Sequence, residues 1–386
     1  MKIRMTLAFV PLALWIAGCV VSAPIGPAPA LRDHPRAAEW EAAIAQRPEA
    51  ERGAARFLVS NMPIRDFAGM NPPAVLDDVH RAFEARAAVP WGKDLPEDIF
   101  LNYVLPYVNL TEPRESWRAE FMEKFLPGVR ALQTPGEAAV RLNADIWKAL
   151  SVKYAADRRR ADQGPRESIR LGTASCTGLS ILLVDVCRAV AVPARVAGIP
   201  RWPHKPGNHT WVEVWSEGAW HALGAFEPGP LNDVWFSADT ALADPARPEY
   251  SIWATSWAPT GERFIAGYRG ARPEALPEVH AVNVTARYLR PSAEPARPRI
   301  YLTLLDAKGR RVARPVIVRW PETGATKPGT TRGERNDLND HFWFELATGA
   351  TAEVEISREG APPLRRRITG DGEPHQFVVW RLGAEE

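Results

Sequence analysis

Apolar residues recur at three- and four-residue steps from Leu179 through Leu182, Leu183 and Val186 to Val190, the stripe of a helix with one buried face. The small residues Gly172-Thr173-Ala174-Ser175 do not extend that stripe, so the helix is predicted to begin at Cys176. Further upstream, Thr134-Pro135-Gly136-Glu137 forms a capping box with proline in the first turn, and Ala139, Leu142, Ile146, Trp147 and Leu150 continue it as a second helical stripe. Downstream the period falls to two: Thr210, Val212 and Val214 take one face of a strand, and His209, Trp211, Glu213 and Trp215 the other. Ser216-Glu217-Gly218 is a turn, and Ala219 to Leu223 returns as the second strand of a hairpin. Residues 37–130 read as helical, with Glu39 to Arg47, Val75 to Ala88 and Glu115 to Phe125 divided by prolines, either a separate domain or a collar on the core. The aromatic run Trp91 to Tyr107 reads as a packed irregular segment in which Asn102 or Tyr103 could line a cleft. From about Val279 short alternating runs return, through Val282 and Val284, Ile300 to Leu304, Val316 to Trp320, Phe342 to Leu346, Ala352 to Ile356 and Phe377 to Trp380. Their spacing predicts a small antiparallel β-sandwich with a binding or spacing role.

The expected organisation is α+β: a helical region at 37–130, a core at 134–270 and the β-sandwich at 279–386. A chain of 386 residues is long enough for two or three such domains. The net charge of +2, with no basic stripe or acidic tail, argues against nucleic acid as a partner. Ahead of the fold, Lys2 and Arg4 precede an apolar run from Leu7 to Ala17, too short for a comfortable membrane span and typical of a signal peptide. It ends in Ile16-Ala17-Gly18-Cys19, which resembles a bacterial lipobox; the alternative is an ordinary secretory signal cut near Ala23. Residues 1–19 are therefore expected to be a lipoprotein signal, and the proline-rich residues 20–36 a tether. Val20 rather than Asp after Cys19 suggests the outer membrane, on the periplasmic side.

Two cysteines remain in the mature body. Cys176 and Cys187 share one predicted helix, with Cα atoms about 16 Å apart and far beyond disulfide reach. Cys187, mid-helix, reads as a core residue. Cys176, at a helix N-terminus, would meet unpaired backbone N–H groups and the positive end of the dipole, which favour thiolate. His209 follows on the strand and Glu227-Pro228 after the hairpin, so thiol, imidazole and carboxylate occur in that order. A thiol, a base and a group that orients the base are the parts of an activated nucleophile. His204 and His209 lack the spacing and the companion ligands of a metal site, and no cofactor is expected. His341 and His375 have no partner motif.

The Cys176 helix, Val192-Pro193-Ala194-Arg195-Val196-Ala197-Gly198, His209-Thr210-Trp211-Val212-Glu213-Val214-Trp215 and the returning Trp220 together resemble the transglutaminase-like superfamily of papain-related cysteine enzymes. The resemblance covers roughly Thr134 to Phe236 and implies a papain-like core with a Cys, His, Asp triad. Here the position four after the returning Trp, where the family has its Asp before a Pro, is Gly224, and the nearest acid followed by Pro is Glu227. Pairing Trp215 with Trp220 would set His209 opposite Phe226, and strict alternation would send Glu227 to the far face. A bulge at Gly224-Ala225 would bring it round; otherwise Glu213, Asp233 or no acid holds the ring. Gln163 is a candidate oxyanion donor, with a surface amide as the plainer reading. The resemblance implies a cysteine enzyme that cleaves or transfers amide bonds of a protein or peptide through a thioester, and the lipobox at Cys19 would anchor it to the envelope. The alternative is an inactive binding protein of the cell envelope with the same fold. Nothing in the pattern specifies an oligomer.

Labelled palmitate should enter the protein, and Cys19→Ser should abolish incorporation and leave soluble periplasmic protein. Incorporation that survives Cys19→Ser would contradict the lipid anchor.

Overall fold

Three prolines that read as breaks in the sequence start helices in the structure, because their missing N–H is an orphan in the first turn anyway. Pro63 and Pro96 precede helices, and Pro72 opens one. The computed structural model describes residues 33–156, 158–205, 207–267, 273–289, 298–333, 340–358, 360–372 and 375–383; Cys19 and the signal segment lie outside them. The N-terminal region comprises α1 (Ala37–Ala45), α2 (Glu49–Ser60), α3 (Ile64–Gly69), α4 (Pro72–Ala87), α5 (Glu97–Tyr103) and α6 (Arg118–Val129). Then come α7 (Pro135–Leu150), β1 (Lys153–Tyr154), α8 (Pro165–Leu171), β2 (Thr173–Ala174) and α9 (Cys176–Ala189). The capping box at Thr134 forms with both of its hydrogen bonds present.

The core sheet follows in β3 (Ala194–Ile199), β4 (His209–Ser216) and β5 (Ala219–Leu223), a short α10 (Ser237–Thr240), then β6 (Trp253–Ser256), β7 (Glu262–Ala266) and β8 (Glu274–Asn283). Its order is β5-β4-β3-β6-β8-β7, antiparallel throughout. One apolar cluster runs without a break from Trp40 through α9 to Ala281, so the N-terminal helices are a collar on the core and not a domain with its own centre. The strand expected to open the β-sandwich near Val279 belongs instead to the core sheet, as β8 between β6 and β7. Alternation identifies a strand but not its partner, which is why the boundary at 279 falls too early.

The β-sandwich consists of β9 (Arg299–Leu305), β10 (Pro315–Arg319), β11 (Thr326–Thr330), β12 (Phe342–Glu345), β13 (Thr351–Arg358), β14 (Ala361–Thr369) and β15 (His375–Arg381). Sheets β11-β10-β13-β14 and β12-β9-β15 enclose a core of Ile300, Leu302, Leu304, Val316, Val318, Phe344, Val354 and Ile356. The ladders are antiparallel apart from β15, which runs parallel to β9.

From Thr177 to Ala189 every residue of α9 is buried. Such a helix should be apolar all round, yet it carries Asp185 and Arg188. Arg188 reaches the carbonyls of Tyr103, Ala194, Pro106 and Val108, and the fully buried Arg118 reaches those of Val104, Leu105, Pro106 and Arg188. The two guanidinium groups thus satisfy the buried backbone of the irregular 103–108 segment, which has no ladder of its own. Burial, with Glu112 nearby, pushes the Asp185 carboxyl well above its usual range, and Asn109 donates to it at 2.8 Å. Tyr103 turns to Trp220 and Arg195, and Asn102 bonds Asp98 and Ala258, so neither lines the cavity described below.

Candidate active site

Cys176 is the first residue of α9 and is partly exposed, whereas Ser175 before it and Thr177 after it are buried. No side chain caps the first turn and no acid lies in it, so the helix end faces the thiol with its backbone N–H groups and dipole. Parallel pairing of β1 with β2 fixes the approach to Cys176, with Tyr154 opposite Ala174. Gln163 is no surface amide. It is 1% exposed, donates to the Thr173 carbonyl at 3.0 Å, and lies against Gly178, where a Cβ would come within 3.2 Å of the Gln163 Cβ. The charged neighbours in 154–170 disguised a buried stretch from Asp162 to Pro165.

His209 is the first residue of β4. Next to it, Thr210 Oγ1 lies 3.2 Å from Thr177 Oγ1, and Ser180 Oγ donates to the Thr210 carbonyl at 3.2 Å, so the residue after the thiol meets the residue after the imidazole. His209 is 7% exposed, and its ring lies against both Trp235 and Phe236, with centroids at 4.9 and 4.8 Å, while Trp211 stacks at 6.0 Å. Two voids among the described residues have His209 in their walls. One, of about 10 Å³, is shared with Asp162, Thr177, Asn208 and Thr210. The other, of about 310 Å³, is shared with Tyr154, Ala225, Phe226, Glu227, Trp235 and Asp340.

The hairpin register is as expected: Trp215 faces Trp220 and Val212 faces Leu223. The expected bulge does not form. After Leu223 the ladder stops, and Gly224 to Glu227 closes a turn in which the Glu227 N–H donates to the Gly224 carbonyl at 3.2 Å. Phe226, third in this turn, has φ +69°, a conformation that suits glycine and that costs a bulky residue about 1–3 kcal/mol. The fully buried Asn143 of α7 makes four hydrogen bonds, and the three that reach the turn oppose that cost. Its Nδ2 donates to the carbonyls of Gly224 and Glu227, each at 2.9 Å, and its Oδ1 accepts from the Phe226 N–H and from Trp147 Nε1, each at 3.1 Å. At about 0.5–1.5 kcal/mol each, the three bonds to the turn match the strain.

The turn folds the Glu227 side chain back. A Cβ on Gly224 would lie 2.1 Å from Glu227 Oε2 and 2.5 Å from its Cδ, so the carboxylate fills the space a side chain at 224 would enter. Its Oε1 accepts from Trp235 Nε1 at 2.8 Å, and the same indole lies against His209. Burial raises the Glu227 carboxyl above the usual range, with the Trp235 bond pulling the other way. The other candidate acids are placed differently. Glu213, four residues along β4 and about 13 Å from His209, binds Arg195, Arg287 and Tyr288; burial works against its charge, but the two arginines hold its carboxyl below the usual range. Asp233 is exposed and lines neither void.

Asn143 and Asp340 were not among the expected residues. Asn143 had a visible signal, a polar residue on the stripe between Ala139 and Trp147. Asp340 had none, since it reaches the larger cavity from the β-sandwich. His204 bonds Asp239 at 2.8 Å, beside Lys205, and among the described residues no three His, Cys, Asp or Glu side chains converge to hold a metal.

A buried helix with a thiol at its first residue, docked on an antiparallel sheet that begins a strand with histidine, defines the papain-like class of folds. Residues 124–225 match the family model of the transglutaminase-like superfamily, and this part of the chain is a transglutaminase-like domain. The match contains Cys176 and His209, begins within α6, and ends two residues before Glu227. No curated protein matches the chain. Among solved structures, a Cytophaga hutchinsonii protein described as a candidate cysteine protease is similar at 17% identity and a TM-score of 0.28. The alignment covers 50% of this chain and 58% of that one, and so low a score carries no weight for the fold.

Burial pushes the Cys187 thiol far above its ordinary value, and a protonated, enclosed thiol is inert. Iodoacetamide at neutral pH should therefore label Cys176 in the native protein and Cys187 only after unfolding. Equal native labelling of both, read by peptide mass, would contradict this placement.

Proposed function

We propose that the chain is a cysteine enzyme that acts on amide bonds of a protein or peptide, held on the periplasmic side of the outer membrane by a lipid on Cys19. The observation that carries this reading is the Glu227 carboxylate lying in the space of the absent side chain at Gly224, in one cavity with His209. It supports a triad of Cys176, His209 and Glu227 whose acid has moved three residues along the chain. It also weighs against the inactive reading, which rested on the missing Asp.

In the mechanism His209 accepts the thiol proton, and the Cys176 thiolate attacks the amide carbonyl carbon. The carbonyl oxygen gains the electron pair and is met by the Cys176 backbone N–H and the Gln163 amide. The C–N bond then breaks, His209 returns its proton to the leaving amine, and an acyl thioester remains on Cys176. Water or a second amine, deprotonated by His209, resolves the thioester. Glu227 holds the imidazole in the productive orientation and offsets the imidazolium charge.

Because Glu227 must be ionised and its pKa is raised by burial, activity should fall on acidification at a higher pH than an ordinary glutamate would dictate. Glu227→Gln should lower turnover of an amide substrate by about 100-fold or more at unchanged melting temperature. Gly224→Asp should restore part of the activity in a Glu227→Ala background. Wild-type turnover in Glu227→Gln, or no rescue by Gly224→Asp, would mean that Glu227 does not orient the ring.

A further inference from the structure

We propose that Asn143 is the positioning residue of this site: its carboxamide holds the strained Gly224 to Glu227 turn, and through it the Glu227 carboxylate, in place beside His209. The inference rests on the cysteine-enzyme reading and assigns a role to a residue outside the triad. Asn143 lies on α7, between the helix stripe and the turn, and is 0% exposed. Its amide uses its full capacity, with both N–H donors on turn carbonyls and both acceptor sites taken by Phe226 and Trp147. That pattern fixes which end of the amide points where. It also fixes the residue type: Asp has the shape but neither donor, Leu has the volume but no polar group, and Gln is one methylene too long for the same reach.

The turn needs this clamp for two reasons. Phe226 is in the left-handed region at φ +69°, and a bulky residue stays there only where its surroundings hold it. In addition, the turn follows the last β4–β5 pair, so no strand neighbour fixes it. Its one internal hydrogen bond, from the Glu227 N–H to the Gly224 carbonyl, would survive several placements of the Glu227 side chain. The bonds from Asn143 to both ends of the turn and to Phe226 leave one. The Phe226 ring, edge-on to Trp147 at 5.5 Å, adds an apolar contact to the same helix. Without the clamp Phe226 can relax to negative φ, which moves the backbone that carries Glu227 and takes its carboxylate out of the space beside Gly224.

A purely structural role for Asn143 predicts a loss of stability alone, whereas a positioning role predicts that its loss mimics the loss of Glu227. The test is the pH profile of Cys176 alkylation by iodoacetamide, with melting temperatures, in wild type, Asn143→Ala, Asn143→Asp, Glu227→Gln and the double variant Asn143→Ala with Glu227→Gln. Asn143→Asp retains the shape and both acceptor positions and serves if the alanine variant is too unstable to assay. Asn143 variants should shift the profile in the same direction as Glu227→Gln, with a loss of about tenfold or more near pH 6, and the double variant should be no slower than Glu227→Gln alone. Asn143 variants with a lowered melting temperature and the wild-type profile would overturn the positioning role, as would losses that multiply in the double variant. A wild-type thiol that reacts no faster than free cysteine would overturn the cysteine-enzyme reading itself, and is recognised before any variant is compared.

Discussion

A helix enclosed along its whole length must still present its first residue to solvent, and the placement of Cys176 depends on how that is achieved. Helix α9 is buried from Thr177 onward, so only its N-terminal end can serve a reaction. Its far half is tied to the collar by Arg118 and Arg188, which bond backbone carbonyls rather than acids. At its near end, Thr177 and Ser180 meet Thr210 on β4, and Gly178 admits Ala174 and Gln163 at distances that a larger residue would not allow. Removing either arginine leaves several buried carbonyls without donors, at about 1–3 kcal/mol each. The thiol is therefore positioned from the side of the helix it does not occupy.

The second constraint is one of volume. The space beside the last residue of the hairpin accommodates either a side chain at 224 or the Glu227 carboxylate, but not both, since a Cβ at 224 would overlap Glu227 Oε2. Glycine at 224 and an acid at 227 are thus one feature, and Phe226 bears the backbone cost of that arrangement. Trp235 joins the acid to the imidazole environment, its N–H on the carboxylate and its ring on His209. From the β-sandwich Asp340 lines the same cavity, which makes the expected spacing or binding domain part of its wall.

What was legible in the sequence follows from which interactions are local. Helix α9 and the β4–β5 hairpin, with its Trp215–Trp220 register, could be read because period and turn chemistry act over a few residues. The end of the hairpin could not. Gly224 suggested a bulge, and the observed turn is held by an asparagine 81 residues upstream. Strand β11 escaped notice because it is an exposed edge containing Pro328, and β14 because Arg365 to Arg367 mask the alternation of Leu364, Arg366 and Ile368. Strand β8 was seen but assigned to the wrong domain, for alternation is silent about partners. Gln163 was hidden by its charged neighbours, although burial and not composition decides what an amide can touch.

The claim on which the account turns is that Cys176 is a thiolate at pH values where an isolated cysteine is a thiol. Its direct measurement is the ionisation of Cys176 itself, followed by thiolate absorbance near 240 nm across pH 4 to 9 in native protein, with Cys176→Ser subtracted. A midpoint well below the free-cysteine value of about 8.5 is expected, with a return toward that value in His209→Ala. A wild-type midpoint at or above about 8.5, unchanged in His209→Ala, would contradict the claim.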